Sequence, residues 1–266
     1  MADNDDRAGQ QFWDENWKNR ELPAAVNPSH TSLDYHVDQR FHDFFTETFT
    51  STQNKKLLEV GCAGSRWLPY FFKQYGFDVT GLDYSPEGCA QAREMLRRNE
   101  TNGTIHQGDL FQVEEELKES FDIVVSFGLV EHFSDTTATI RALAGLLKPK
   151  GILITMVPNV THIPGTLMRL LNREVYDAHV PMSPSTLEKA ADASELTTTH
   201  AGYFLSLNLS ALSLAIVKRP QSKWNTFILR SFSALSKIVW LANRSGLPEW
   251  PNKVTSPFIL HSAIKS

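Results

Sequence analysis

With 266 residues, 41% of them apolar and 21% charged, the chain can form one generous α/β domain, or one domain with an inserted cap, and gross disorder is excluded. A net charge of -4 gives no global positive field, so nucleic acid is not an expected partner. The only cysteines, Cys62 and Cys89, are unclustered, which excludes a disulfide framework and a cysteine zinc site, suits a reducing compartment, and leaves no metal expected.

The first ten residues, MADNDDRAGQ, are acidic and polar, the opposite of a secretory signal. No span reaches the roughly 18 to 20 unbroken apolar residues that cross a bilayer. The best candidate, YFLSLNLSALSLAIV, carries Asn208 and several serines and stops at Lys218-Arg219. The expectation is a soluble, cytoplasmic protein. Residues 1–54 are rich in aromatics, among them Phe12, Trp13, Trp17, Tyr35, Phe41, Phe44 and Phe45, and read as a helical segment leading into the first strand.

Short β-branched or apolar runs follow: KLLEV (56–60), DVTGLD (78–83), GTIHQ (103–107), FDIVVSF (121–127) and GILITMV (151–157). Helical stretches separate them, such as EGCAQAREMLRRNE, where Cys89, Ala92, Met95 and Leu96 fall at helical spacing. Before the fifth run, TATIRALAGLLKPK reads as a helix stopped by Pro149 and Gly151. Such alternation predicts a parallel sheet covered on both faces. Residues 160–254 break the regularity. LTTTHAGYFLSLN reads as strand six and SPFILHSAIK as strand seven; the alternative makes LSLAIVK strand seven and leaves a C-terminal tail. The expected division is a helical lid segment over 1–54, an α/β core over 55–207, a helical insertion or cap over 208–254, and a final core strand over 255–266.

In LLEVGCAGSRW (57–67), a buried strand carries Glu59 near its end and runs straight into Gly61, Ala63, Gly64 and Ser65. A turn of such small residues lets a ligand touch the backbone and the free amides of a helix N-terminus. Ligands of open parallel sheets bind beyond the carboxyl ends of the strands, where the strand order reverses. Asp83 closes the next strand, 24 residues after Glu59, where a carboxylate can accept two hydrogen bonds from a ribose diol. The pair points to a nucleoside-containing cofactor.

The dinucleotide fingerprint G-x-G-x-x-G fails here, because Arg66 stands at its last glycine and Ala63 at its middle one. Read instead as E-x-G-x-G-x-G, the turn supplies Glu59, Gly61, Ala63 and Ser65, all small where smallness is required. In this it resembles the class I S-adenosylmethionine-dependent methyltransferases, and the resemblance extends from about Lys55 through Asn159. It implies a Rossmann-like, seven-stranded, mostly parallel sheet with helices on both faces, an antiparallel last strand and helical cap elements. It also implies S-adenosylmethionine as cofactor and S-adenosylhomocysteine as product. GLDYS then supplies Asp83 for the ribose hydroxyls and Tyr84 beside the adenine, and QGDLF supplies Asp109 toward the adenine amino group with Leu110 at the ring. FDIVVSFGLVEHFSD, including Phe127, is similar to the fourth strand and the loop passing the methionine part. LLKPKGILITMVPN is similar to the fifth-strand signature, which usually has two glycines where Lys150-Gly151 stands. The run from Pro158 to Leu187 is diffusely similar to ubiquinone-pathway O-methyltransferases and unassigned bacterial relatives.

The transferred methyl should point at the rim after strand four, where Glu131-His132 lies. A histidine with an ordinary pKa near 6.5 can take a proton from a hydroxyl or amine, so this pair is the candidate catalytic group. His162, Tyr176, His179 and Tyr203 are candidates for the acceptor pocket; Trp13, Trp17 and Tyr35 either shield the sulfonium or pack a helix on the core. Lys223, Arg230, Lys237 and Arg244 recur every seven residues beside an apolar face of Trp224, Ile228, Phe232, Leu235, Ile238, Val239 and Ala242. The segment 218–244 is thus either a cap helix with its cations in water or a peripheral membrane contact. The expected reaction is methyl transfer to O or N of a small, partly apolar acceptor. A nicotinamide-dependent oxidoreductase and a non-catalytic partner protein of the same fold are the alternatives.

Overall fold

The computed structural model of the chain describes residues 6–18, 20–209 and 223–266. Its strands are β1 (Lys56–Val60), β2 (Asp78–Asp83), β3 (Gly103–Gln107), β4 (Phe121–Phe127), β5 (Leu147–Pro158), β6 (Leu196–Phe204) and β7 (Phe258–Lys265). They form one sheet in the order β3-β2-β1-β4-β5-β7-β6. The pairs β1–β2, β2–β3, β1–β4 and β4–β5 are parallel, and β7 runs antiparallel to both β5 and β6. The strand order therefore reverses between β1 and β4, which opens a crevice at their carboxyl ends. The alternative seventh strand, residues 212–218, lies outside the described residues.

Neighbouring residues on a strand face opposite sides, and the core follows that rule. Leu57, Val79, Ile123 and Val125 pack into a layer with α2 (His36–Thr48), α3 (Leu68–Tyr75) and α4 (Pro86–Arg98), whereas Leu58, Val60, Leu82 and Val124 face α5 (Thr136–Gly145) and α8 (Pro184–Asp192). Phe41, Phe45 and Phe49 of the aromatic N-terminal segment belong to the first layer and are buried there with Trp67, Phe71 and Phe77 around them. Each such fully buried ring contributes about 1.5–3 kcal/mol, so this part of the segment is core.

Local chemistry sets the helix starts. Ser85 caps α4, accepting from the Gly88 amide at 3.0 Å, with Pro86 in the first turn. Asp135 caps α5, and Ser183 with Thr186 forms a reciprocal cap on α8. The helix expected to run to Pro149 instead ends at Gly145, and β5 begins at Leu147, which pairs with Phe121. Within β5, Lys150 takes φ +63, the left-handed conformation for which the family pattern reserves a glycine.

Beyond β5 lie α6 (His162–Leu171) and α7 (Arg173–Asp177), and between β6 and β7 lies α9 (Lys223–Arg244). The expected apolar face of α9 is corrected by the packing. Trp240 and Ser236 are buried, Trp240 stacks on His36 and donates its indole N–H to the Leu207 carbonyl, and Ser236 accepts from the Leu209 amide. That orientation turns Leu235 and Ile238 outward with Phe227 and Leu241. Two of the heptad cations serve as anchors: Lys237 pairs with Asp34 at 2.5 Å, and Arg244 donates to the Thr31 and Ser32 carbonyls. Among the described residues no helix is long and apolar enough to cross a membrane.

Candidate active site

The turn after β1 has the form its small residues require. Gly61 sits at φ +77 and Gly64 at φ +60, and the Gly61 amide donates to the Leu82 carbonyl at 2.8 Å. Each departure from the all-glycine pattern has its own accommodation. The Ala63 methyl fits because Gly88 faces it, where an added Cβ would stand 2.5 Å away. The Cys62 side chain fits because Gly81 faces it at the same spacing, which makes this thiol a packing group. The Ser65 hydroxyl donates to Glu59 at 2.5 Å and accepts from the Trp67 and Leu68 amides, so it satisfies the amides that lead into α3. Arg66, which breaks the dinucleotide fingerprint, pairs with Asp38 at 2.7 Å and belongs to the packing of α2.

Two carboxylates stand at the ends of β1 and β2 without a cationic partner among the described residues. Glu59 is 3% exposed, and burial pushes its pKa up to about 8 against the opposing Ser65 hydrogen bond, with the Asp83 charge adding to the rise. Asp83 accepts from the Ala63 amide at 3.0 Å and the Ser85 amide at 2.9 Å, yet burial still raises its pKa to about 6. After β3, Asp109 caps a 3-10 turn through the Phe111 amide, with Leu110 buried beside it. Phe127, expected near the methionine part, packs its ring against Phe41, Phe45 and Trp67 in the first core layer.

The N-terminal strap covers this edge. In α1 (Gln10–Lys18), the Trp17 ring comes within 3.2 Å of where a Cβ on Gly64 would lie. Gln91 donates to the Trp17 carbonyl, the Tyr84 hydroxyl to Asp6 at 2.7 Å, and the Ser85 hydroxyl to Asp14 at 2.5 Å. The strap therefore spans the ends of β1 and β2 and continues to β4, where the Arg7 amide donates to the His132 carbonyl and Trp13 sits edge-on to the His132 ring at 4.9 Å. Asp6 and Asp14 carried no periodic or motif signal in the sequence, so these anchors went unread there.

At the end of β4, Val130–His132 form a 3-10 turn that buries both Glu131 and His132. The His132 Nδ1–H donates to the Ala178 carbonyl at 3.0 Å, which leaves Nε2 with a lone pair. Burial, assisted by neighbouring His179, lowers the His132 pKa to about 4, so the ring is neutral at pH 7 and a weaker base than an ordinary histidine. Burial raises the Glu131 carboxyl to about 8. His179 lies 4.6 Å from the His132 ring, and the Val180 amide donates to the Glu131 carbonyl at 2.7 Å, which ties the two segments together.

The other expected acceptor residues are dispersed. His162 and Tyr176 line a cavity of about 600 Å³ along α6, together with Arg169 and Arg173, and its rim residue Pro181 is two positions from His179. Tyr203, on β6, packs against the second core layer, and the Tyr35 ring lies tilted against His30 at 4.3 Å ahead of α2. Neither contacts the Glu131–His132 turn among the described contacts.

Comparison with known proteins bears on this edge. A family model described as a methyltransferase domain matches residues 33–201. A ubiquinone biosynthesis O-methyltransferase of Aliivibrio fischeri (strain MJ11) is 30% identical over 162 residues, which is 58% of this chain and 69% of that protein. The structure of phosphoethanolamine N-methyltransferase 2 of Haemonchus contortus in complex with S-adenosylmethionine superposes with TM-score 0.62 at 16% identity, covering 100% of this chain and 60% of that one. The cyclase SpnF superposes with TM-score 0.65 at 14% identity, covering 98% and 96%. At such identities these structures speak for the fold alone.

Proposed function

Because the chain belongs to the class I S-adenosylmethionine-dependent methyltransferases, we propose that it transfers a methyl group to an oxygen or nitrogen of a small, partly apolar acceptor held at the carboxyl ends of β4 and β5. The observation that carries this reading is the pair of desolvated carboxylates, Glu59 and Asp83, flanking a turn of Gly61, Ala63 and Ser65. Buried carboxylates without cations call for hydrogen-bond donors, and the cofactor's ribose hydroxyls and ammonium are such donors. The residues present therefore fit S-adenosylmethionine, which when bound supplies an electrophilic sulfonium methyl.

In this reading Asp83 accepts from the ribose hydroxyls, Tyr84 and Leu110 flank the adenine with Asp109 near its amino group, and the turn lies under the amino-acid part beside Glu59. Phe127 acts from behind, fixing the end of β4 through the core. The strap, with Trp13 and Trp17, excludes water and holds the reactants in line, an effect worth roughly 10⁵ M in effective concentration. His132, neutral and with Nε2 free to accept, positions the acceptor's hydroxyl or amine proton, and Glu131 stands beside it. The cavity lined by His162 and Tyr176 would take the remainder of the acceptor.

The outer face of α9, where Phe227, Ile238 and Leu241 are each more than half exposed, supports contact with a membrane surface from a cytoplasmic location. An acceptor with an apolar tail would arrive from there. In the same reading the expected lid over 1–54 narrows to the strap ahead of α2, since α2 packs in the core, while the core spans 55–207 and 255–266 and the cap spans 208–254, of which 210–222 lie outside the described residues. Incubation with S-adenosylmethionine labelled in its methyl group, across phenols, catechols and amines with and without apolar tails, tests it. A labelled O- or N-methyl product is expected; label on carbon, or none on any acceptor, would refute the assignment.

A further inference from the structure

Glu131, His132 and His179 offer three ligand atoms that all lie within 4.8 Å of one another. We propose that they form a binding site for one divalent transition-metal ion, held by two imidazole nitrogens and a carboxylate. Three features of their surroundings suit a metal.

Both rings are set in the same tautomer by backbone carbonyls. His132 donates its Nδ1–H to Ala178 at 3.0 Å and His179 donates its own to Val175 at 2.6 Å. Each therefore keeps an Nε2 lone pair, the arrangement by which metal-binding histidines are oriented from behind. The carboxylate is almost fully buried, its Oε1 lies 3.8 Å from His132 Nε2, and its Oε2 has no hydrogen-bond partner among the described residues. A buried carboxylate oxygen without a partner costs on the order of 1–3 kcal/mol, more if charged, and a cation removes that cost. The two contributing segments are joined by the Val180 amide on the Glu131 carbonyl, so the trio does not depend on mobile side chains alone.

The charges nearby are few. Arg7 donates its guanidinium to the His179 carbonyl at 3.2 Å, and Asp6 lies on the same strap, paired with Tyr84. Trp13 closes one side of the His132 ring. Metal–ligand bonds of about 2.1 Å place ligand atoms roughly 3.0–3.5 Å apart, so binding draws the three groups inward by about an ångström. Two nitrogens and one oxygen suit zinc, iron, cobalt or nickel better than magnesium or calcium, which favour oxygen ligands. With the ion on the His132 Nε2 lone pair that in the metal-free protein accepts the acceptor's proton, three protein ligands leave coordination positions open, and an acceptor hydroxyl is the group class that would take one. That last clause rests on the methyl-transfer reading; the binding of the ion does not.

The test uses the full chain stripped with a chelator, then titrated with Zn²⁺ by calorimetry and with Co²⁺ by its visible absorption. One-to-one binding is expected, with nitrogen-ligand features in the Co²⁺ spectrum. Glu131→Gln and His179→Ala should each weaken it at least tenfold, and His30→Ala, outside the trio, should leave it unchanged. His179→Asn serves as the second variant if His179→Ala unfolds, since unfolding of each is followed by circular dichroism. Absence of one-to-one binding to the folded wild type, or binding indifferent to both substitutions, overturns the site. Labelled methyl transfer by the stripped enzyme would in that event leave the proposed function standing.

Discussion

Glu59→Gln isolates the buried carboxyl at the end of β1. In the ligand-free protein burial carries this group from an ordinary 4.5 up to about 8, so the folded state keeps a proton that the unfolded chain has released. Its contribution to stability is present in full below pH 4.5 and is lost as the pH rises toward 8. The full span corresponds to about 5 kcal/mol, of which about 3 kcal/mol falls between pH 5.5 and 8.5. Glutamine keeps an acceptor for the Ser65 hydroxyl and cannot ionise, so the variant should lack this part of the slope. Urea unfolding of both proteins at pH 5.5, 7 and 8.5, without ligand, gives the comparison. Expected is a stability difference between variant and wild type that shifts in the variant's favour by about 3 kcal/mol from pH 5.5 to pH 8.5. For a chain of this length that is a melting difference on the order of 6–12 °C. Parallel pH profiles would show that Glu59 is ionised in the folded protein at neutral pH and would refute the reasoning from burial.

Gly88→Ala should destabilise the protein by about 1–3 kcal/mol, because its new methyl meets that of Ala63 at 2.5 Å; adding Ala63→Gly should restore most of the loss. Equal destabilisation in the single and double variants would mean that the two methyls do not compete. Ile238→Asp with Leu241→Asp should abolish co-sedimentation with anionic vesicles while leaving the melting temperature within a few degrees, since both side chains are exposed. Undiminished sedimentation would remove the outer face of α9 from any membrane contact. Below about pH 6 Asp83 takes up a proton in the ligand-free protein, so affinity for S-adenosylhomocysteine should fall as the pH drops through that value. A flat affinity profile from pH 5 to 7.5 would argue against a charged Asp83 at the ribose.

Four strands, β1 to β4, coincide residue for residue with the runs read from the sequence; β1 and β4 stood out because central strands covered on both faces need a nearly unbroken apolar segment, whereas the edge strand β3 buries only Ile105. The start of β5 was hidden by Pro149 and Gly151, which look like a helix stop, whereas the chain resolves the bend through Lys150 in a left-handed conformation. On α9 periodicity gave the helix but not its orientation. That is decided by Trp240 against His36 and by the buried Ser236, contacts with residues far away in sequence. The turn Gly61–Ser65 and the carboxylates Glu59 and Asp83 were legible because their spacing is local to two successive strand ends. The approach of His179 to His132 was not, since 47 residues separate them and long-range bonds, Val180 on Glu131 and His132 on Ala178, bring them together. The strap's anchors, Asp6 on Tyr84 and Asp14 on Ser85, likewise leave no periodic trace.

Calorimetric titration with S-adenosylhomocysteine of the wild type and of Asp83→Ala reaches the central claim most directly, that the carboxyl ends of β1 to β3 hold the cofactor. The account predicts one-to-one binding to the wild type and at least a tenfold loss in the variant, about 1.4 kcal/mol. Unchanged affinity in a folded Asp83→Ala protein, or no binding to the wild type, would contradict it.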